Sequence, residues 1–211
     1  MTRGLGERFE ILDIVFKPAP ACFFAQSPAQ VAASAAARLP RGAVVESIEI
    51  RVTSAAATYP GCAEADRIAT AQAAGMSIPF AVAATLLAGR VDPAAWSDFA
   101  NPAVAALARR CTVVSDDSLS SAYPARCGAS LGIAFAGGGT LEAVQEDFVS
   151  MDAEAVTARF RADGAARIGA AAVERTLAAI DTLETLPDAA ALADLCAPAA
   201  ASAKRRASRW T

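Results

Sequence analysis

The chain contains no histidine and only two lysines, Lys17 and Lys204. Histidine is the usual proton carrier near neutral pH and the commonest metal ligand. Its absence excludes a Ser-His-Asp triad, a Cys-His dyad and a His-based zinc centre within this polypeptide. Acid–base chemistry must run on Lys, Cys, Tyr or a carboxylate, or borrow a group from another chain. No apolar run of about 18 residues is free of charged or polar breaks, which argues against a transmembrane helix. Residues 1–8 are charged and Gly-rich and lack the hydrophobic run of a signal peptide. There is no CxxC pair. The cysteines (Cys22, Cys62, Cys111, Cys127, Cys196) are odd in number and scattered, and read as reduced, mostly buried thiols of a cytoplasmic protein. Lys+Arg is 19 and Asp+Glu is 22, a net charge of −3. That balance offers no basic face for nucleic acid or an anionic membrane.

What is present is a chain of 211 residues, 55% hydrophobic, enough for one well-buried domain. The apolar content is mostly alanine, which suits close helix packing. Glu10–Phe16 is a short apolar run before Pro18-Ala19-Pro20 and reads as a strand ending at Lys17. Ser27-Pro28 reads as a helix start, with the helix running to Leu39. Val44–Val52 alternates as a half-buried strand. Residues 64–74 read as helical, and Ser77-Ile78-Pro79 opens a helix to Leu87 that Gly89 ends. Asp92-Pro93 and Asn101-Pro102 each pair an N-cap with Pro at the next position. Thr112–Ser115 is a strand. Segments 126–135 and 140–148 flank Gly137-Gly138-Gly139 as a β-hairpin; no GxxxxGK[ST] accompanies these glycines, so a phosphate loop is not indicated. Asp152 caps a helix to Ala162, and helices follow at 166–184 and 188–196. Val173, Leu177 and Ile180 form one apolar stripe. Strands and helices do not strictly alternate, so the fold class is α+β: a small sheet with a β-hairpin, packed by helices.

Several segments, taken in order, carry a resemblance: Gly4-Leu5-Gly6 with Phe9–Leu12, Phe16–Cys22, Val45–Ile50, Ser77–Ala83, Asn101–Val104 and Leu183–Leu186. Together they resemble the C-terminal half of the MmgE/PrpD family, which includes 2-methylcitrate dehydratase, cis-aconitate decarboxylase and iminodisuccinate epimerase. The resemblance spans residues 4–196. It implies an α+β domain over 1–165, helices over 166–196 that dock on an all-helical domain or subunit, and a basic tail over 197–211. Family members are about twice this length, and the matching region starts close to Met1. The expectation is therefore a subunit of a split enzyme whose partner is a separate helical N-terminal half, the two forming a hetero-oligomer. The family needs no cofactor and no metal.

The resemblance also implies site residues. Lys17 matches a family lysine that lines the site between the two domains, where an ammonium would neutralise a substrate carboxylate or help move a proton. Read without the family, it is a solvated strand-end lysine. Cys22 stands where cis-aconitate decarboxylase has histidine and many bacterial members have cysteine; it is a proton carrier if its pKa is lowered, and otherwise a buried thiol. Gln26 replaces a histidine of the family's pattern and can hydrogen-bond substrate but cannot act as a base. Phe80 replaces a tyrosine, losing a proton donor, and reads better as core. Ser77 caps its helix or meets a carboxylate there. Tyr59 and Cys62 share a loop that could enter the cleft or serve only the loop. The pattern implies a lyase or isomerase that removes a proton next to a carboxylate or carbonyl of a small molecule, leading to dehydration, decarboxylation, epimerisation or cyclisation. The losses at Gln26 and Phe80 keep a second reading open, a non-catalytic module that stabilises a helical partner. The Ala- and Arg-rich composition points to a GC-rich bacterium and a specialised biosynthetic pathway.

Overall fold

A computed structural model of the chain describes residues 4, 6, 7 and 9–197, so the expected basic tail lies, Ala197 apart, outside the described residues. The alternation in the first strand organises the sheet. Strand β1 (Val45–Val52) buries Ile48, Ile50 and Val52 and turns Ser47 and Glu49 outward. It lies between β2 (Cys111–Ser115), parallel to it, and β3 (Ala129–Phe135), antiparallel; β4 (Thr140–Gln145) pairs with β3 in a hairpin, giving the order β2-β1-β3-β4. Gly137, Gly138 and Gly139 all have φ between +93° and +95°, a region other residues avoid, which is why the turn is glycine. One sheet face carries Leu131, Ile133, Leu141 and Ala143 into the core. The other is charged, with Arg51 paired to Glu49 at 2.6 Å and to Glu142 at 3.5 Å.

Two helices cover the apolar face. Helix α1 (Gln26–Ala36) packs on β3 and β4 and against α4, which follows the short helices α2 (Ser54–Thr58) and α3 (Ala71–Met76). In α4 (Ile78–Ala88) every residue from Ile78 to Leu86 is buried. A helix apolar on all sides belongs in the centre of a fold. Alanines at 81, 83 and 84 allow its neighbours to approach closely, while Phe80 fills volume edge-on to Trp96 at 6.2 Å. Ser77 caps α4 and Gly89 closes it at φ +73°. Asp92 and Asn101 cap α5 (Pro93–Ser97) and α6 (Pro102–Ala108), as the Asp-Pro and Asn-Pro pairs predict. After β2 comes α7 (Asp117–Ala122), capped by Asp116.

Three local expectations fail, each for a physical reason. Glu10–Phe16 is not a strand. Glu10–Asp13 is a single 3-10 turn followed by extended backbone. No sheet strand pairs with it, and Phe16 instead exchanges hydrogen bonds with the Ser150 hydroxyl. Its apolar side chains stay exposed, Leu12 by 80%. Ser27 is not an N-cap, because a 3-10 turn at Phe23–Ala25 leads into α1 one turn earlier. Its hydroxyl donates to the Cys127 carbonyl instead. The helix expected over 64–74 begins only at Ala71. The Glu64 carboxylate captures the N–H groups of Asp66 and Arg67 and the Arg67 guanidinium, a local alternative to helical bonding.

The chain divides into two compact units, residues 1–150 and 151–211. The second contains α8 (Ala153–Ile168), capped by Asp152, then α9 (Ala170–Asp181) and α10 (Ala190–Leu195). Val173 packs over Gly164, where an added Cβ would come within 2.8 Å of its methyl group, while Ile180 at the other end of the stripe is exposed. No helix among the described residues is long and apolar enough to cross a membrane.

The hairpin's far end is equally tight. A Cβ on Gly128 would lie 2.5 Å from the Glu146 carbonyl oxygen and 2.7 Å from that of Gln145. Gly128→Ala should therefore destabilise the fold by about 2 kcal/mol in urea unfolding. An unchanged midpoint would contradict the hairpin register.

Candidate functional site

The site is built where the Pro18–Cys22 loop meets α1. Loops of this kind leave backbone polar groups without secondary-structure partners. Here the side chain of Gln26, fully buried, supplies them. Its Oε1 accepts from the Ala19 N–H at 3.1 Å. Its two amide hydrogens are shared among the carbonyls of Ala19, Ala21 and Cys22 at 3.0–3.2 Å. The Cys22 N–H donates to the Gly75 carbonyl at 2.7 Å, so the loop is fastened to α3 as well. Gly75 allows that approach: a Cβ there would sit 3.3 Å from the Pro20 oxygen.

Fixed in this way, Cys22 comes against Cys62, their sulfurs 3.7 Å apart, with Cys22 Sγ also 3.6 Å from the Met76 carbonyl. Cys62 is buried in a turn that begins at Gly61 (φ +83°), and its carbonyl accepts from Ile78 at the start of α4. The pair is asymmetric. The Cys22 thiol is lowered from 9.0 to about 7, first by the hydrogen bond from Cys62, then by the N–H groups of Ala25 and Phe24 and the Lys17 charge, with burial opposing. Cys62 is raised, because it holds the proton it donates to Cys22 and because it is buried. Cys111 is raised to about 12 by burial. Cys127 is raised to about 11, by burial and then by the Asp147 and Cys22 charges. Cys22 is thus the one of these thiols shifted downward, while its contact with the Met76 carbonyl favours the protonated form.

Lys17 is exposed at the mouth of the same loop, its Nζ 3.4 Å from the Ala21 carbonyl. Aromatic rings pack directly after Cys22 in the chain. Phe24 contacts Tyr59 at 5.4 Å and Tyr123 at 5.9 Å, and Phe23 contacts Phe148 at 5.4 Å. Lys17 and Cys22 lie on one loop, and Tyr59 reaches it through the Phe24 ring and through the Cys62 N–H that its carbonyl accepts. Gln26 lies under the loop with its amide engaged by backbone. Ser77 and Phe80 sit deeper, at the start of α4. The Ser77 hydroxyl accepts from the Phe80 N–H at 3.0 Å and donates to the Glu64 carbonyl, and the Phe80 ring is in the core. The ring contacts of Phe23, Phe24, Tyr123 and Phe148 are legible in the sequence only as the Phe-Phe pair directly after Cys22. Among the described residues no group of three or more potential ligands could hold a metal ion.

A histidine-free α+β domain, a four-stranded sheet packed by helices, is the class that the fold defines. The model of the MmgE/PrpD C-terminal domain matches residues 19–185, and the chain belongs to that family. Lys17 lies just ahead of the matched span. No curated protein matches the chain.

Gln26→Ala would leave the buried N–H and carbonyl of Ala19 without a partner and take one of two partners from each of the Ala21 and Cys22 carbonyls. It should cost roughly 3 kcal/mol in denaturant unfolding. A loss under about 0.5 kcal/mol would show that the loop does not depend on this amide.

Proposed function

We propose that this domain is the C-terminal-half subunit of a lyase or isomerase that removes a proton adjacent to a carboxylate or carbonyl of a small molecule, completed by a separate helical subunit. The observation that carries the reading is the one Gln26-braced loop that bears both Lys17 and Cys22, where the hydrogen bond with Cys62 is the first cause that lowers the Cys22 thiol to about 7. A base is most effective when its pKa lies near the working pH. In a chain without imidazole, Cys22 is the group that meets that condition. Its thiolate would take the α-proton. The Lys17 ammonium would hold the substrate carboxylate and offset the negative charge that builds as the proton leaves. Dehydration, decarboxylation, epimerisation and cyclisation all share that first step, and further proton-transfer groups, including any imidazole, would come from the helical half.

Two observations support a partner of that kind. The matching family model is that of a C-terminal domain. Phe9, Ile11, Leu12, Ile14, Val15 and Phe16 also expose an apolar surface that monomeric soluble proteins rarely leave uncovered. A second reading, a stabilising module without catalysis, draws on Gln26 and Phe80: one is engaged by backbone and the other sits in the core, at two positions where the family's pattern has proton-transfer groups.

The test is co-expression with a separately encoded helical N-terminal half of the same family, followed by solvent deuterium incorporation into a panel of small carboxylates. The complex should form and exchange a proton. Lys17→Ala and Cys22→Ser should each lower exchange by about 10²-fold or more. A stable complex whose activity is untouched by either change would exclude this mechanism and favour the module.

A further inference from the structure

We propose that Cys22 and Cys62 form an oxidation site, at which a hydroperoxide converts the pair into a reversible disulfide. The inference goes beyond the reaction proposed above and rests on it only for its consequence for activity.

Sulfurs 3.7 Å apart need to close by about 1.7 Å to reach bonding distance, a shift that side-chain rotation with small backbone adjustment can supply. Both residues are pinned to the same scaffold: Cys22 through its N–H to Gly75, and Cys62 through its carbonyl to the N–H of Ile78. Cys22 is half-buried, so a small oxidant reaches it. Cys62 is fully buried behind it, which favours attack by this thiol over one from another molecule.

Selectivity follows from thiolate character, which governs thiol oxidation. Cys22 has it at neutral pH, whereas Cys111 and Cys127 are both raised. In the first step the Cys22 thiolate attacks a peroxide oxygen. An S–O bond forms, the O–O bond breaks, and hydroxide (or alkoxide) leaves and is neutralised by the proton that the Cys22 thiol released to solvent on ionising; the sulfur loses two electrons to the peroxide and becomes sulfenic acid. In the second step the Cys62 sulfur attacks that of Cys22. The S–S bond forms, the S–O bond breaks, and the departing hydroxide takes the Cys62 proton to give water. The sum is two thiols and one hydrogen peroxide giving one disulfide and two waters, and a dithiol reductant reverses it. Closing the bond removes the Cys22 thiolate, so on the reaction proposed above the oxidised chain is inactive.

The experiment treats the full chain with stoichiometric hydrogen peroxide at neutral pH, blocks remaining thiols by alkylation and maps the peptides. The expected result is a Cys22–Cys62 linked peptide lost on dithiothreitol treatment, with Cys111 and Cys127 alkylated. In Cys62→Ser, and in Cys62→Ala should the serine variant fold poorly, Cys22 should instead accumulate as sulfenic acid trapped by dimedone, at least about 10-fold above wild type. Linkage of Cys22 to Cys127, or Cys22 carried straight to sulfinic acid while Cys62 remains alkylatable, would overturn the proposal. The map is read without any assay of turnover, so failure of the proposed reaction leaves this result standing, and the reverse also holds.

Discussion

The buried amide of Gln26 is the interaction on which the candidate site depends. A loop with prolines at 18 and 20 cannot pair its backbone in a sheet, and its carbonyls would be costly to bury alone. One side chain at the start of α1 meets the N–H of Ala19 and three carbonyls at once. Because α1 is itself wedged between the sheet and α4, the loop inherits the rigidity of the core. The positions of Lys17 and Cys22 then follow from the packing of alanines tens of residues away in sequence.

The same constraint explains how a chain without imidazole can present a group that titrates near neutrality. An isolated cysteine would ionise near 9.0, and burial alone would push it higher. The neighbouring Cys62 thiol reverses that by donating to Cys22, helped by two backbone N–H groups and the Lys17 charge. The cost falls on Cys62, which keeps its proton. A dithiol arranged in this way unites two chemistries: one thiolate near neutral pH can accept a proton or react with an oxidant.

Much of the fold was legible from punctuation and period. Asp92-Pro93, Asn101-Pro102, Ser77 and Gly89 marked helix ends through local capping chemistry, and β1 showed its buried face in a strict alternation. What failed was decided at long range. Glu10–Phe16 has the composition of a strand but lacks a partner, and partnership is not a local property. Glu64 displaced a helix start through side-chain bonds that composition does not reveal. For the site, the order of Lys17, Cys22 and Gln26 along the loop was visible. The approach of Cys62 across 40 residues was not, because it depends on how α3 and α4 dock on the loop.

The Gln26-braced loop holds Cys22 where its thiolate is stabilised. The most direct measurement is the pH dependence of Cys22 alkylation, followed by peptide mass in the wild-type chain and in Gln26→Ala. The wild type should show a midpoint at about 7, and the variant should move upward toward the ordinary cysteine value of 9.0. A wild-type midpoint already near that ordinary value, or one that Gln26→Ala leaves unmoved, would contradict it.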